Sequence, residues 1–448
     1  MRLLRVTIKK YKNLEDFDCV FPDSNISAFI GNNGSGKSNL LEAITEAFSY
    51  VKNNTNDNKP KIILTPNLIG CKIQYECNNK IYILECDRSE ASISYNGKKL
   101  NKLETQKALP ETIMLYYAGE TSRQALTASR TLDESYNNKL KRETNETFSG
   151  YKYIDSYSIE DLPLLMIASV VYKGNNYNKL MQLLNCKEIL PIIRFLFKNP
   201  KGTKGAADTY WGARGFVKSF LDGMRKSVDS TDDILNMYLM LFNDITTIKD
   251  LSKNENELFA KLKAIKNAGY IEQIFLHLKK RNEEPFSYDE LSEGEKQLSL
   301  LLLLTSFTAN NNVLYLFDEF DAYMHLNWQK AFGKMLNEVN VNGHILFTSH
   351  SPATISGMQK QNVFIMSEGK VSPVPSETYN RSLDEIMEEH MLVSMRPKEY
   401  IDLEQEFRNA VVHGRKDLAE EALIKIREIV GENDPFFITA RIVLNRME

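Results

Sequence analysis

The sequence predicts an α/β core that is split by a long helical insertion and followed by a helical tail. Three observations predict this fold class. The apolar run Ile26–Ile30 stops at a glycine-rich loop that leads into a helical pattern. Strand and helix patterns alternate again from residue 285, after a stretch whose apolar residues have helical spacing. Residues 398–448 carry three short amphipathic helix patterns, of which Gly414 and Gly431 are predicted to end the first two and Asp417 to cap the second.

Composition places the chain among globular proteins with more than one domain. Its 448 residues are 42% hydrophobic, which is enough to bury sizeable cores. The 56 Lys and Arg residues nearly balance the 59 Asp and Glu residues, so no global basic field indicates that this chain binds nucleic acid unaided.

Export and membrane insertion are not expected from the sequence. The amino terminus lacks the apolar core of a signal peptide. The longest apolar run, Leu298–Phe307, has about half the length that spans a bilayer. Five cysteines without a CxxC pair indicate reduced thiols. We therefore predict a cytoplasmic protein that does not contact a membrane.

The pattern divides the chain into four segments. Residues 1–130 are the first part of the core, and residues 285–375 are its second part. Residues 131–284 are predicted to be the helical insertion, and residues 376–448 a helical C-terminal assembly region. The first part should contain an antiparallel meander, because short β-rich runs recur with turns between them. Helical spacing in the insertion is found in three runs: Leu162–Val171, Leu180–Phe197 and Phe216–Met224.

The glycine-rich loop fits a phosphate-binding motif. Residues 31–38, GNNGSGKS, match GxxxxGK[ST] between a strand and a helix, where glycines let backbone N–H groups converge on phosphate oxygens. Lys37 is predicted to reach the β- and γ-phosphates, and Ser38 to bind Mg²⁺. The other predicted nucleotide contacts are Asn33, Gly34, Ser35, Gly36 and Asn39. This loop predicts that ATP and Mg²⁺ bind here.

An apolar strand that ends in two carboxylates is the second motif. Val313–Phe317 is followed by Asp318 and Glu319. Asp318 is predicted to hold Mg²⁺, and Glu319 to orient or deprotonate the attacking water. Such a pair alone is a weak signal, but after a phosphate-binding loop it indicates nucleotide hydrolysis.

Two further motifs complete the set. In Leu291–Glu295, LSEGE, Ser292 is a candidate N-cap and Gly294 leaves backbone N–H groups open to an anion, although an ordinary capped helix start has the same pattern. His350 follows the predicted strand Ile345–Thr348. A lone histidine after a strand is usually structural.

Taken in order, these four motifs resemble those of ABC-type ATPases with a P-loop NTPase fold. The resemblance implies that Ser292 and Gly294 contact the γ-phosphate held by the P-loop of the opposite subunit, and that His350 senses the γ-phosphate. It also implies a homodimer or a larger even-numbered oligomer. His325 lies in the stretch that crosses the dimer interface in such enzymes, where a structural and a functional role are equally plausible.

Within that superfamily the chain resembles the SMC, RecF and OLD-type branch, and most closely the PtuA ATPases of Septu and retron-associated anti-phage systems. The similarity lies in GNNGSGKSNLLEAI, LSEGEKQL, DEFDAYMHLNWQ and TSHSP. Tyr116–Arg123 and Trp211–Gly215 resemble two other segments of this family. Phe320 and Leu326 stand where the family often has proline, which leaves the shape of the interface loop open.

The PtuA resemblance implies a separate HNH-type nuclease as partner, with nucleic acid contacted through the complex. After His350 we expect too few residues for the nuclease domain that OLD-type proteins append. Two alternatives remain open: a RecF- or SMC-like ATPase of DNA maintenance, which needs a local basic surface, and a transporter nucleotide-binding subunit. The long insertion and the tail argue against the transporter.

Overall fold

The computed structural model describes most of the chain, namely residues 1–54, 68–87, 90–118, 136, 139–140, 144–201, 205–234, 237–281, 284–338, 341–379, 381, 383, 385–386, 398–431, 434 and 436–445. The chain divides into two compact units, residues 1–381 and residues 382–448.

The strands among the described residues are β1 (Arg2–Tyr11), β2 (Leu14–Val20), β3 (Ile26–Ile30), β4 (Ile69–Cys77), β5 (Lys80–Asp87), β6 (Glu90–Tyr95), β7 (Lys98–Lys99), β8 (Thr112–Tyr117), β9 (Ile154–Tyr157), β10 (Cys186–Ile189), β11 (Ile193–Phe197), β12 (Ser230–Ile234), β13 (Met237–Phe242), β14 (Ile271–Phe275), β15 (His277–Lys280), β16 (Phe286–Ser287), β17 (Val313–Asp318), β18 (Gly343–Ser349), β19 (Val363–Ser367) and β20 (Lys370–Pro373).

The α-helices are α1 (Lys37–Asn54), α2 (Lys102–Ala108), α3 (Leu162–Tyr172), α4 (Asn175–Leu183), α5 (Gly215–Lys226), α6 (Glu255–Asn267), α7 (Glu293–Phe307), α8 (Leu326–Glu338), α9 (Pro352–Ile355), α10 (Lys398–Val412), α11 (Lys416–Val430) and α12 (Phe436–Asn445).

A seven-stranded sheet forms the centre of the first unit, in the order β20-β19-β3-β18-β17-β8-β9. All its strands except β20 run parallel. Every residue of β3, β17 and β18 is buried, which explains their near-continuous apolar sequences. Because these three strands are parallel neighbours, the loops that follow them meet at one edge of the sheet.

The second sheet is antiparallel and has six strands in the order β2-β1-β4-β5-β6-β7. It contains the predicted meander, β4 to β6. Helix α1 contributes to a core cluster that contains residues of both sheets, with Leu40, Ile44 and Phe48 fully buried. This packing fixes the helix that begins at the glycine-rich loop.

The insertion is mixed α/β, which corrects the prediction of a helical segment for residues 131–284. Helices α3 and α5 confirm two of the three predicted runs. The third, Leu180–Phe197, is helical only to Leu183 and then forms β10 and β11. Asn185 has a left-handed φ of 51° and Pro191 follows, so the helix cannot continue.

Two small antiparallel sheets account for these strands, in the orders β12-β13-β11-β14 and β10-β15-β16. The alternate residues Ile193, Phe195 and Phe197 of β11 are buried, so the apolar run has a strand period. Strand β9, which also belongs to the insertion, pairs with β8 at the edge of the central sheet.

The second unit contains the three predicted tail helices, α10 to α12, around its own core. Gly414 and Gly431 have positive φ (68° and 78°) and end α10 and α11, as the sequence predicts. Asp417 was expected to cap α11 but lies in its first turn, after the N-cap Arg415. Among the described residues, no helix has both the length and the apolarity needed to cross a membrane.

Candidate functional site

The loop between β3 and α1 has the backbone of a phosphate-binding loop. Gly31, Gly34 and Gly36 have φ of 147°, 81° and 108°, angles that favour glycine. A Cβ at Gly31 would lie 2.2 Å from the Met366 carbonyl oxygen, so this position also requires glycine for space. The loop leads directly into α1, whose first N–H groups have no partner within the helix. These N–H groups are suited to an anion.

Lys37 is buried against the inside of this loop. Its Nζ donates to the carbonyl oxygens of Gly31 (2.8 Å) and Asn32 (3.2 Å). Burial lowers the pKa of Lys37 to about 8, and the nearby carboxylates of Asp318 and Glu319 act in the opposite direction. A phosphate in the loop would therefore stabilise the ammonium form.

Ser35 supplies a second observation that fits a phosphate. Its Oγ is buried and has no hydrogen-bond partner within the described part of the chain. A buried hydroxyl without a partner is unfavourable, and a phosphate oxygen would accept its hydrogen bond.

The predicted magnesium ligands Ser38 and Asp318 lie together. Asp318 ends β17, is 2% exposed, and accepts a hydrogen bond from the Thr348 hydroxyl, while the Ser38 hydroxyl lies close to its carboxyl group. Burial raises the pKa of Asp318, whereas the two hydroxyls lower it. A serine hydroxyl and one carboxylate, completed by phosphate oxygens and waters, are a typical donor set for Mg²⁺. These residues therefore fit Mg²⁺.

Glu319 and His350 face each other at the same edge of the sheet. His350 Nε2 lies 3.8 Å from Glu319 Oε1, and about a third of each side chain is exposed. Glu319 has a left-handed φ of 50°, which is strained for a residue other than glycine, and its N–H donates to Thr348 Oγ1 at 2.9 Å. Burial lowers the pKa of His350, Lys37 lowers it further, and Glu319 raises it. The imidazole is therefore mainly neutral at pH 7.

The signature segment forms the start of α7. Ser292 Oγ accepts from the Glu295 N–H (3.3 Å), and the Ser292 N–H donates to Glu295 Oε2 (2.8 Å), so the two residues form a capping box. Gly294 packs against α8, because a Cβ there would lie 3.3 Å from Trp328 Cδ1. Ser292 is exposed to solvent. Within the described residues, no hydrogen bond joins Ser292 or Gly294 to the glycine-rich loop of the same chain.

The segment between β17 and α8 explains one departure from the family pattern. Phe320 is fully buried, with ring centroids 4.0 Å from Phe332 and 5.1 Å from Phe347, so it is a core residue. His325 is exposed, and its carbonyl accepts from the Trp328 N–H (2.8 Å) at the start of α8. This position is compatible with a helix-start role.

The remaining predicted residues have mixed placements. Asn39 donates to Asn13 Oδ1 (2.7 Å), and Asn13 donates to the Gly34 carbonyl (2.8 Å), so Asn39 supports the loop from outside. Asn33 is exposed. Of the segment Tyr116–Arg123, residues 119–123 lie outside the described residues.

Sequence reasoning missed Asn13 and Thr348, which form hydrogen bonds with site residues, and Asp321, which accepts a hydrogen bond from Ser349 beside His350. Thr348 lies in the quoted TSHSP motif, but its bond to Asp318 depends on the pairing of β17 with β18. The available signal was that both strands end at the same edge of a parallel sheet.

Comparison with known proteins places the chain. The model of the RecF/RecN/SMC N terminal domain matches residues 2–372. The chain is 21% identical over 473 aligned residues to the Retron Ec83 probable ATPase of Escherichia coli, covering 94% of this chain and 82% of that protein. It is 21% identical to the Retron Vc95 probable ATPase of Vibrio cholerae serotype O1 biovar El Tor, covering 95% and 86%.

Two further similarities are weaker. A DNA replication and repair protein RecF of Shewanella sp. (strain W3-18-1) is 29% identical over 140 residues, which are 28% of this chain and 37% of that protein. The SMC head domain from Thermotoga maritima aligns with a TM-score of 0.37 and 14% identity, covering 84% of this chain and 100% of that one. The family model, by contrast, covers most of the chain. The protein therefore belongs to the RecF/RecN/SMC N-terminal domain family, and the predicted ABC-type P-loop ATPase fold is confirmed.

Proposed function

We propose that the chain is an ATP hydrolase that binds Mg-ATP between two copies of itself and controls a separate nuclease in an anti-phage defence complex. The observation that carries the ATPase assignment is the placement of the Ser38 hydroxyl beside the Asp318 carboxyl group, next to the buried Lys37. These residues come from α1 and β17, and they combine a phosphate-binding cation with a magnesium donor pair.

Each residue of the site has a role in hydrolysis. The loop N–H groups and Lys37 bind the β- and γ-phosphates and fix their position. Ser38 and Asp318 hold Mg²⁺, which neutralises charge on the phosphate oxygens when bound. Glu319 accepts a hydrogen bond or the proton from the attacking water. Neutral His350, 3.8 Å from Glu319, donates a hydrogen bond to the γ-phosphate.

A second copy supplies the other half of the site. Ser292 is exposed at the N-terminus of α7, whereas Gly294 is buried, and no hydrogen bond among the described residues joins either residue to the phosphate-binding loop of the same chain. The resemblance to ABC-type ATPases supports pairing of Ser292 and Gly294 with the γ-phosphate of the opposite subunit. The functional unit is then a homodimer or a larger even-numbered oligomer.

The defence role rests on relatives and resemblance. Two proteins named retron probable ATPases align with at least 94% of the chain. The motifs of the core resemble PtuA of Septu and retron-associated systems, whose partner is an HNH-type nuclease. The chain would contact nucleic acid through that complex. Similarity to RecF over 140 residues supports the runner-up, a DNA-maintenance ATPase.

Purification from the native host tests the proposal. A tagged chain is isolated with its bound proteins, which are identified by mass spectrometry, and Lys37→Ala serves as the control for ATP-dependent retention. We expect a nuclease to co-purify and the isolated complex to hydrolyse ATP. A chain that elutes without a nuclease and binds DNA with a steep salt dependence would contradict the defence role and favour DNA maintenance.

A further inference from the structure

Asp321 lies two residues after Glu319 and is 3% exposed. Its Oδ2 accepts hydrogen bonds from the hydroxyls of Ser349 and Thr354, the latter at 2.7 Å. Ser349 ends β18 immediately before His350, and Thr354 lies in α9 just beyond it. One buried carboxylate oxygen therefore binds the chain on both sides of His350.

A second set of contacts joins the same two segments. Gln329 Nε2 donates to the carbonyl oxygens of Asp321 and Met324, each at 3.0 Å. Gln329 Oε1 accepts from the Ser351 hydroxyl at 2.6 Å. The Ser351 N–H donates to Ser349 Oγ at 2.9 Å, which closes the network. The loop that carries His350 is thus held by residues from 321 to 329.

A buried carboxylate at this position is energetically unfavourable if it only fills space. Among the described residues, no Lys, Arg or His forms an ion pair with Asp321, and burial raises the pKa of its carboxyl group. Burying a carboxyl group without a neighbouring cation is unfavourable unless hydrogen bonds within the protein replace those it made with water. Here both bonds through Oδ2 go to the segment around His350.

We propose that Asp321 is a positioning residue for ATP hydrolysis, which holds the His350 loop so that His350 and Glu319 keep their 3.8 Å separation. This inference rests on the proposed ATPase function. Tyr323 and Leu326, which follow Asp321, are 59% and 49% exposed. A partner subunit that contacts this segment would therefore act on His350 through Asp321 and Gln329.

Variants of Asp321 and Thr354 test the proposal. Asp321→Ala should lower kcat by roughly 10–10²-fold at an unchanged Kd for ATP, because a displacement of about 1 Å at a reacting group has this order of effect. Thr354→Val removes one hydroxyl and should lower kcat several-fold, whereas Thr354→Ser keeps the hydroxyl and should retain the parental kcat. The Thr354 pair preserves the test if Asp321→Ala does not fold.

Asp155→Ala is the matched control. Asp155 is also a buried aspartate, 2% exposed, and it bonds to Asn267 at the edge of the central sheet. This variant should lower the Tm and leave kcat at the parental value. If Asp321→Ala and Thr354→Val also lower only the Tm, Asp321 is structural and the proposal is overturned.

The His350 imidazole gives a readout that does not depend on hydrolysis. Its resonance is assigned by comparison with His350→Gln, and its pKa is measured by NMR in the parental chain and in each variant. Loss of the Asp321 network should release the ring and raise its pKa toward the ordinary value, while Asp155→Ala should not change it. If the parental chain binds ATP but does not hydrolyse it, the proposed function is refuted. If the pKa of His350 is unchanged in Thr354→Val, the positioning role of Asp321 is refuted independently of hydrolysis.

Discussion

Replacing Glu319 by glutamine tests which residue activates the attacking water. Glutamine has nearly the same shape, and the bond from the backbone N–H at 319 to Thr348 (2.9 Å) is retained, so the left-handed turn should persist. The change removes a carboxylate that can accept a proton. Loss of a general base costs roughly 10²–10⁴-fold in turnover, equivalent to about 2.7–5.4 kcal/mol in the barrier.

The affinity for ATP should stay the same or increase, because the substitution removes a negative charge near the phosphates. The assay is phosphate release at saturating ATP, with nucleotide binding measured in parallel and the dimer followed by light scattering. Trapped ATP should hold the dimer. Glu85→Gln, which changes an exposed carboxylate paired with Lys72 on the antiparallel sheet, is the control and should hydrolyse ATP normally. Turnover by Glu319→Gln at the parental rate would show that the catalytic assignment is wrong.

Two further predictions concern Lys37 and the tail. Burial lowers the pKa of Lys37 to about 8, and a bound phosphate would favour the ammonium form. The affinity for ATP, measured by calorimetry, should therefore fall by up to about tenfold per pH unit above pH 8. An unchanged affinity to about pH 9.5 would contradict this prediction. On α12, Ile438 and Ile442 lie one turn apart and are 67% and 52% exposed. The double variant Ile438→Glu with Ile442→Glu, or deletion after residue 397, should preserve ATP binding but abolish retention of the nuclease or formation of the higher oligomer. The control Leu103→Glu, in the first unit, should leave both unchanged. A complex that is unaltered by the tail variants would exclude the tail from assembly.

The phosphate-binding loop was predictable because its signal is local. A strand, three glycines, Lys37 and the first turn of α1 lie within 15 consecutive positions, and each glycine has the positive φ that the motif requires. The pairing of Ser38 with Asp318 also followed, since both strands that carry the motifs end at the same edge of a parallel sheet. The ends of α10 and α11 were equally predictable, from Gly414 and Gly431.

The strands of the insertion were not predictable in the same way. The apolar run from Leu180 to Phe197 satisfies helical spacing, but β11 is stabilised by β13 and β14, which are distant in sequence. Thr348 and Asp321 were missed because their hydrogen bonds join residues about 30 positions apart. Phe320 stands where the family often has proline, and it packs in the core. No local sequence pattern predicts that packing.

The most direct test of a composite site mixes two inactive chains. Lys37→Ala removes the phosphate cation, and Ser292→Arg blocks the exposed signature that we assign to the opposite subunit. Each variant alone should be inactive. A mixed dimer, purified through two different tags, should contain one site with both defects and one intact site, and should hydrolyse ATP at about half the parental rate per dimer if the two sites act independently. A verified mixed dimer without activity, or Ser292→Arg alone at the parental rate, would contradict the assignment of one active site to two copies of the chain.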